Sequence, residues 1–148
     1  MRRVLLVAAA LTIPVSGLVV GLSSPASAKK AAKITCTSLG GGVASITISG
    51  CTGGDTGGGT KAFSGTVLAN GGTITWLSGK TTTFGKPTLK STSTKKCPPS
   101  VNASADKASV PVTNDSGTGV KVPGTAKGTI CINSGDSEVQ NIGKFTIT

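Results

Sequence analysis

The chain has 148 residues, 22 of them glycine, no histidine and no tyrosine, and a formal charge of +10. Without histidine the commonest general base and the commonest metal ligand are both missing, which excludes serine and cysteine hydrolases of the usual histidine-assisted kind. One Trp and three Phe are also too few aromatic platforms for stacking nucleic-acid bases between basic residues, so no specific nucleic-acid partner is expected.

Arg2 and Arg3 precede an apolar run from Val4 to Leu22, and Ala26-Ser27-Ala28 supplies small residues at the cleavage positions. That is the layout of a secretory signal peptide. Pro14, Gly17 and Gly21 interrupt the run, which argues against an uncleaved anchor. Cys36 follows Lys33-Ile34-Thr35 rather than a small-residue box ending the apolar run, which argues against a lipoprotein. Residues 1–28 are therefore expected to be removed, leaving residues 29–148 as a single secreted β-domain of about 120 residues, off the membrane after cleavage. Taking Arg2 and Arg3 from +10 leaves +8, with lysine as the only basic side chain. Arginine suits planar, bidentate recognition of phosphate or carboxylate, so scattered lysines fit loose attraction to polyanions and protection of sheet edges.

The mature segment is rich in Thr, Ser and Gly and lacks long runs of helix formers, which points to short strands and many turns. A first strand is expected over Lys33–Thr37, with Leu39-Gly40-Gly41-Gly42 turning the chain. Val43–Ser49 alternates, with Ile46 and Ile48 on one side, as a half-buried strand does. Thr52–Thr60 has five glycines, but the strand Ala62–Leu68 follows it where a phosphate-cradling loop needs a helix.

Asn70-Gly71-Gly72 then turns into the element the fold is built around, Thr73–Phe84. With Leu77, Ser78 and Gly79 as a three-residue hairpin loop, Trp76 lies opposite Lys80 and Ile74 opposite Thr82, and Ile74, Trp76, Thr82 and Phe84 share a face. A two-residue loop would put Phe84 on the other face, so burial of the aromatic pair selects the odd loop.

Gly85-Lys86-Pro87 breaks the strand, Thr88-Leu89 resumes it, and Lys90–Lys96 reads as a mobile Ser/Thr/Lys loop ended by Cys97-Pro98-Pro99. Val101–Lys107 shows little pattern. Ala108–Thr113 and Gly119–Val122 read as short strands confined to edges by Pro111 and Pro123, which cannot donate ladder hydrogen bonds. Gly124–Ile132 is a strand with Ile130 and Ile132 on one face and Cys131 on the other. Asn133-Ser134-Gly135-Asp136 turns into a last strand, Lys144–Thr148, that presents Phe145 and Ile147 together. Gly-Thr-Val or Gly-Thr-Ile recurs at Gly65, Gly72 and Gly128, as three strand starts of like chemistry rather than a repeat.

These elements predict an all-β antiparallel sandwich or flattened barrel of eight or nine short strands, with Ile74, Trp76, Phe84, Ile130 and Phe145 in its core. Apolar side chains are few for this size, so covalent help is expected from Cys36, Cys51, Cys97 and Cys131. Four cysteines allow three pairings. The nearest-neighbour one, Cys36 with Cys51 and Cys97 with Cys131, is expected here, each bridge worth about 3–4 kcal/mol. A tetrathiolate metal site would need closely spaced pairs, and none exists.

Other chemistry is thin. Ser78 with Lys80 and Ser93 with Lys95 are pairs that chance supplies in so Ser- and Lys-rich a chain. Asp136 and Glu138 are the only close acids, explained by solvation in a turn. Asn133, Asp136 and Glu138 lack the regular spacing of a calcium loop. No catalytic residue, metal or cofactor is assigned, and the chain is read as no enzyme.

At Ile34-Thr-Cys36, Ser49-Gly-Cys51, Gly72-Thr-Ile-Thr-Trp76, Ser78-Gly-Lys-Thr-Thr82, Cys97 and Ile130-Cys131-Ile132 the chain resembles small secreted actinobacterial proteins with no assigned activity. That resemblance implies secretion, an all-β domain and disulfides. At Cys97-Pro98-Pro99-Ser100 it also resembles the subtilisin-inhibitor family, which implies a protease-binding loop with Pro99 in the primary specificity position. The chain departs from that family in the proline itself, in the longer Cys51–Cys97 interval and in lacking its helices. The function expected is a secreted or cell-envelope-associated, non-enzymatic domain that binds anionic cell-wall polymers through lysines. The alternative is a secreted serine-protease inhibitor.

Overall fold

The computed structural model describes residues 30–93, 95–98, 103–133 and 138–148. The expected signal peptide, residues 1–28, lies outside them, as do Pro99, Ser100, Val101 and the turn residues Ser134, Gly135 and Asp136.

Ten strands follow one another: β1 (Ile34–Cys36), β2 (Ser38–Gly42), β3 (Ser45–Ser49), β4 (Thr60–Thr66), β5 (Gly71–Trp76), β6 (Thr81–Phe84), β7 (Thr88–Ser91), β8 (Ser104–Asp115), β9 (Gly124–Asn133) and β10 (Glu138–Ile147). No helix occurs among the described residues. All pairings between strands are antiparallel, and the order β3-β2-β10-β9-β8-β6-β5-β4 is extended by β1 on β10 and β7 on β8.

The two ends of that order meet. A bridge joins Ser49 to Gly59, Ile48 N–H donates to Thr60 Oγ1 at 3.0 Å, and Val67 N–H donates to the Val43 carbonyl at 3.0 Å. The sheet is thus a nearly closed barrel, eight strands around. Such a barrel has an interior just wide enough to be filled by side chains or to hold one small ligand.

The β5–β6 hairpin sets the registry of one wall. Ile74 pairs with Thr82 and Gly72 with Phe84, and Trp76 N–H donates to the Lys80 carbonyl at 2.8 Å. Gly79 takes the left-handed φ of 81° that the three-residue loop requires. Ile74, Trp76, Thr82 and Phe84 accordingly point into the barrel together and are buried.

Trp76 closes one end of the barrel, with no exposed surface. Its Nε1–H donates to Thr82 Oγ1 at 2.8 Å, and the Thr82 hydroxyl donates to Asp115 Oδ1 at 2.9 Å. The same carboxylate accepts from the Thr118 hydroxyl and from the backbone N–H groups of Gly117 and Gly119 at 3.3 and 3.1 Å. A polar chain therefore crosses this end with each described buried side-chain polar atom partnered, the condition under which buried polarity does not cost stability. Trp76 belongs to a single buried cluster that includes Ile34, Cys36, Cys51, Val112, Val120 and Ile147.

Both disulfides follow the nearest-neighbour pairing, Cys36 with Cys51 and Cys97 with Cys131. The first joins β1 to the segment after β3, where Thr35 and Thr52 also bridge. The two strands do not pair with each other, since β1 pairs with β10 and β3 with β2.

Other departures have physical causes. Leu39-Gly40-Gly41-Gly42 is no turn but most of β2, paired to both β10 and β3. A Cβ on Gly41 would come within 2.4 Å of the Ser45 carbonyl oxygen, so the close approach of β3 requires glycine there. The segment Ser104–Asp115 is one twelve-residue strand in the middle of the sheet, not a patternless stretch followed by an edge strand. Pro111 is tolerated because the Pro111 carbonyl accepts from Gly85 N–H at 2.9 Å, which puts its donorless nitrogen on the side where β6 and β7 are interrupted. Gly119–Val122 forms no strand, although Val120 is buried. Lys90 and Ser91 belong to β7 rather than to a loop. The last strand begins at Glu138, well before Lys144.

Candidate functional site

Two features stand out once the register is known: the inside of the open barrel end, and one face of its outside. Inward positions alternate along each strand, so Ile46, Ile48, Phe63, Ile74, Phe84, Val110, Ile130, Val139 and Phe145 converge on the axis. They surround a cavity of about 90 Å³ whose lining is almost wholly apolar. Gly72 and Gly128 are inward positions too, and both are crossed by phenyl side chains. A Cβ on Gly72 would lie 2.5 Å from the Ser64 carbonyl oxygen and 2.6 Å from the Phe63 ring, and one on Gly128 2.6 Å from Phe145 Cβ. At Gly72 the recurrent Gly-Thr-Ile does stand at the start of a strand, β5, and at Gly128 it stands inside β9; at both, the missing Cβ leaves room for a phenylalanine side chain.

The cavity sits away from Trp76, toward the turn between β4 and β5. Val67 and Leu68 in that turn line it, with Leu39, Pro87 and Ala108 opposite. Past the turn, the β7–β8 ladder continues through Thr88–Ser109, Leu89–Ala108, Lys90–Lys107 and Ser91–Asp106. The inward residues of this extension are Leu89, Ser91, Asp106 and Ala108, so Leu89 lies on the concave side although it is 36% exposed. Ser91 Oγ donates to Asp106 Oδ1 at 2.9 Å.

On the outside, the same register brings lysines from neighbouring strands to one surface. Lys90 is directly opposite Lys107, and Lys107 is diagonal to Lys127, which pairs with Ser109 and Thr146. Lys144 lies at the bulge of β10, two residues before Thr146. All four are exposed. Like charges directly opposite one another destabilise a sheet, so the Lys90–Lys107 pair is not explained by folding.

The other candidates find structural roles or fall outside the described residues. Ser78 Oγ donates to the Asp55 carbonyl at 2.6 Å and accepts from Lys80 N–H at 3.4 Å, which fixes the hairpin loop. Ser93 and Lys95 are exposed. Asp136 lies outside the described residues, and among those described no three His, Cys, Asp or Glu side chains gather as a metal site would need. The Cys97–Cys131 bridge lies on the outer face of β9, where Ala105 and Cys131 are buried as register partners. Among the described residues no helix is long and apolar enough to cross a membrane.

No protein-family model, curated protein or solved structure matches the chain.

Proposed function

We propose that this chain is a secreted or cell-envelope-associated, non-enzymatic β-domain that binds anionic surface polymers through its lysines. The observation that carries the reading is the outward rank Lys90, Lys107, Lys127 and Lys144 across β7 to β10, including one directly opposed like-charged pair. A polyanion laid across the strands would meet these ammonium groups in succession and relieve their repulsion. Point charges on flexible stems suit a polymer of irregular phosphate or carboxylate spacing better than a fixed anion. Two disulfides fit an oxidising compartment such as the cell exterior.

The test is retention on isolated cell walls. Protein should bind at low ionic strength and elute near 1 M salt, where screening acts within about 3 Å. Changing the four lysines to serine should abolish retention while leaving the circular dichroism unchanged. Retention indifferent to salt and to these substitutions would remove the electrostatic reading.

A protease-inhibitor function keeps one support, the tethering of Cys97 to β9 at the base of the segment that resembles a binding loop. Pro99 and Ser100 themselves lie outside the described residues. Failure to inhibit a subtilisin-like protease at micromolar concentration ends that reading.

A further inference from the structure

The apolar cavity lies on the inner side of the sheet whose outer side carries the lysines, Lys127 being the one of them that also borders it, and its shape selects a ligand. Its volume, about 90 Å³, is well short of the roughly 150 Å³ that admits a benzene ring in an apolar protein cavity, yet about three times a water's share of liquid volume. Water has no reason to occupy it, because a buried water needs two to four polar partners and the lining offers almost none. A slim chain fits where a ring does not.

Beyond the cavity the apolar surface continues. Ala108, at its rim, is followed by Leu89 and Ile132, which register makes inward residues of the strands that run past the β4–β5 turn. At the far side of this ledge the polar inward residues are Ser91, Ser104 and Asp106, with the carboxylate already an acceptor for Ser91. The end of a bound chain here would meet a hydrogen-bond acceptor and a negative charge.

We infer that the open end of the barrel binds an unbranched alkyl chain, its tip in the cavity among Ile46, Ile74, Phe84 and Phe145, its stem on the ledge formed by Leu89 and Ala108 and a hydroxyl head beside Asp106. A carboxylate head is disfavoured by the like charge of Asp106. The inward direction of Leu89, an exposed leucine on a concave face, is explained by the stem. Nothing in this placement depends on the outer lysines.

The experiment titrates the full mature chain with 1-decanol, below its solubility limit, and reads the Tm and the methyl NMR shifts. The alcohol should raise Tm by at least about 3 °C at saturation and move the methyls of Ile46, Ile74, Val110 and Ile130. Decanoate should bind at least tenfold more weakly. Ala108→Phe, which fills the mouth, should weaken binding at least tenfold with the cell-wall retention unchanged, and Leu89→Asp gives the same reading should the first variant fail to fold. Four results would overturn the inference: no Tm rise, shifts confined to the outer surface, decanoate binding as tightly as the alcohol, or a micromolar dimer that covers the ledge and is not displaced by decanol.

Discussion

The two ends of the barrel are built from the same kind of strands and finished in opposite ways. At one end Trp76, Val112, Ile34 and Ile147 fill the axis, a chain of hydrogen bonds runs from the indole through Thr82 to Asp115, and the Cys36–Cys51 bridge locks the rim. At the other end Phe63, Phe84, Phe145 and several Ile face the axis, and with Gly72 and Gly128 among them an apolar space is left between the rings. Large apolar side chains stand at both ends of the barrel, so their number alone does not decide which end is filled. What the difference teaches is that filling depends on placement and not on supply: at the open end glycines stand at inward positions among the rings, whereas at the closed one the indole itself occupies the axis.

The sharpest way to break this comparison is at the closed end. Trp76→Ala should lower the stability to unfolding by about 3–5 kcal/mol, read from denaturant midpoints, whereas a loss under about 1 kcal/mol would mean that Trp76 is not the plug. Thr82→Val is nearly isosteric but leaves the indole N–H without its acceptor, and should cost about 1–3 kcal/mol. The smallest effect is the most informative, because Val110 and Val112 are both inward residues of β8 two positions apart. Val112→Ala should cost about 2 kcal/mol, and Val110→Ala, already beside empty space, less than about 1 kcal/mol. Equal costs would mean that the two ends are packed alike.

How much of this is legible in the sequence depends on whether an element is decided locally. The β5–β6 hairpin is, because the parity of a loop between Trp76 and Lys80 determines which side chains face inward. The disulfide pairing is nearly so, since neighbours in the chain are neighbours in a meandering sheet. By contrast β2 is a glycine run that is a strand only because β3 and β10 flank it, and sequence reads such a run as a turn. Pro111 looks like an edge marker until the interruption between β6 and β7 is seen to face its nitrogen. The site was the least legible part. The lysine rank exists only in the register of β7 to β10, and the cavity only in the way strands distant in the chain meet across the axis; Gly72 and Gly128 were visible as a recurring tripeptide, the one signal that could have pointed to it.

The most direct test of the unequal ends is a crystal of the protein under xenon pressure, since xenon enters dry apolar cavities without needing a polar partner. Xenon density is expected at the open end, bounded by Ile46, Ile74, Phe84, Val110 and Phe145, and none around Trp76. Ordered water in that space, or side chains filling it completely, would contradict the asymmetry on which the alkyl-chain site stands.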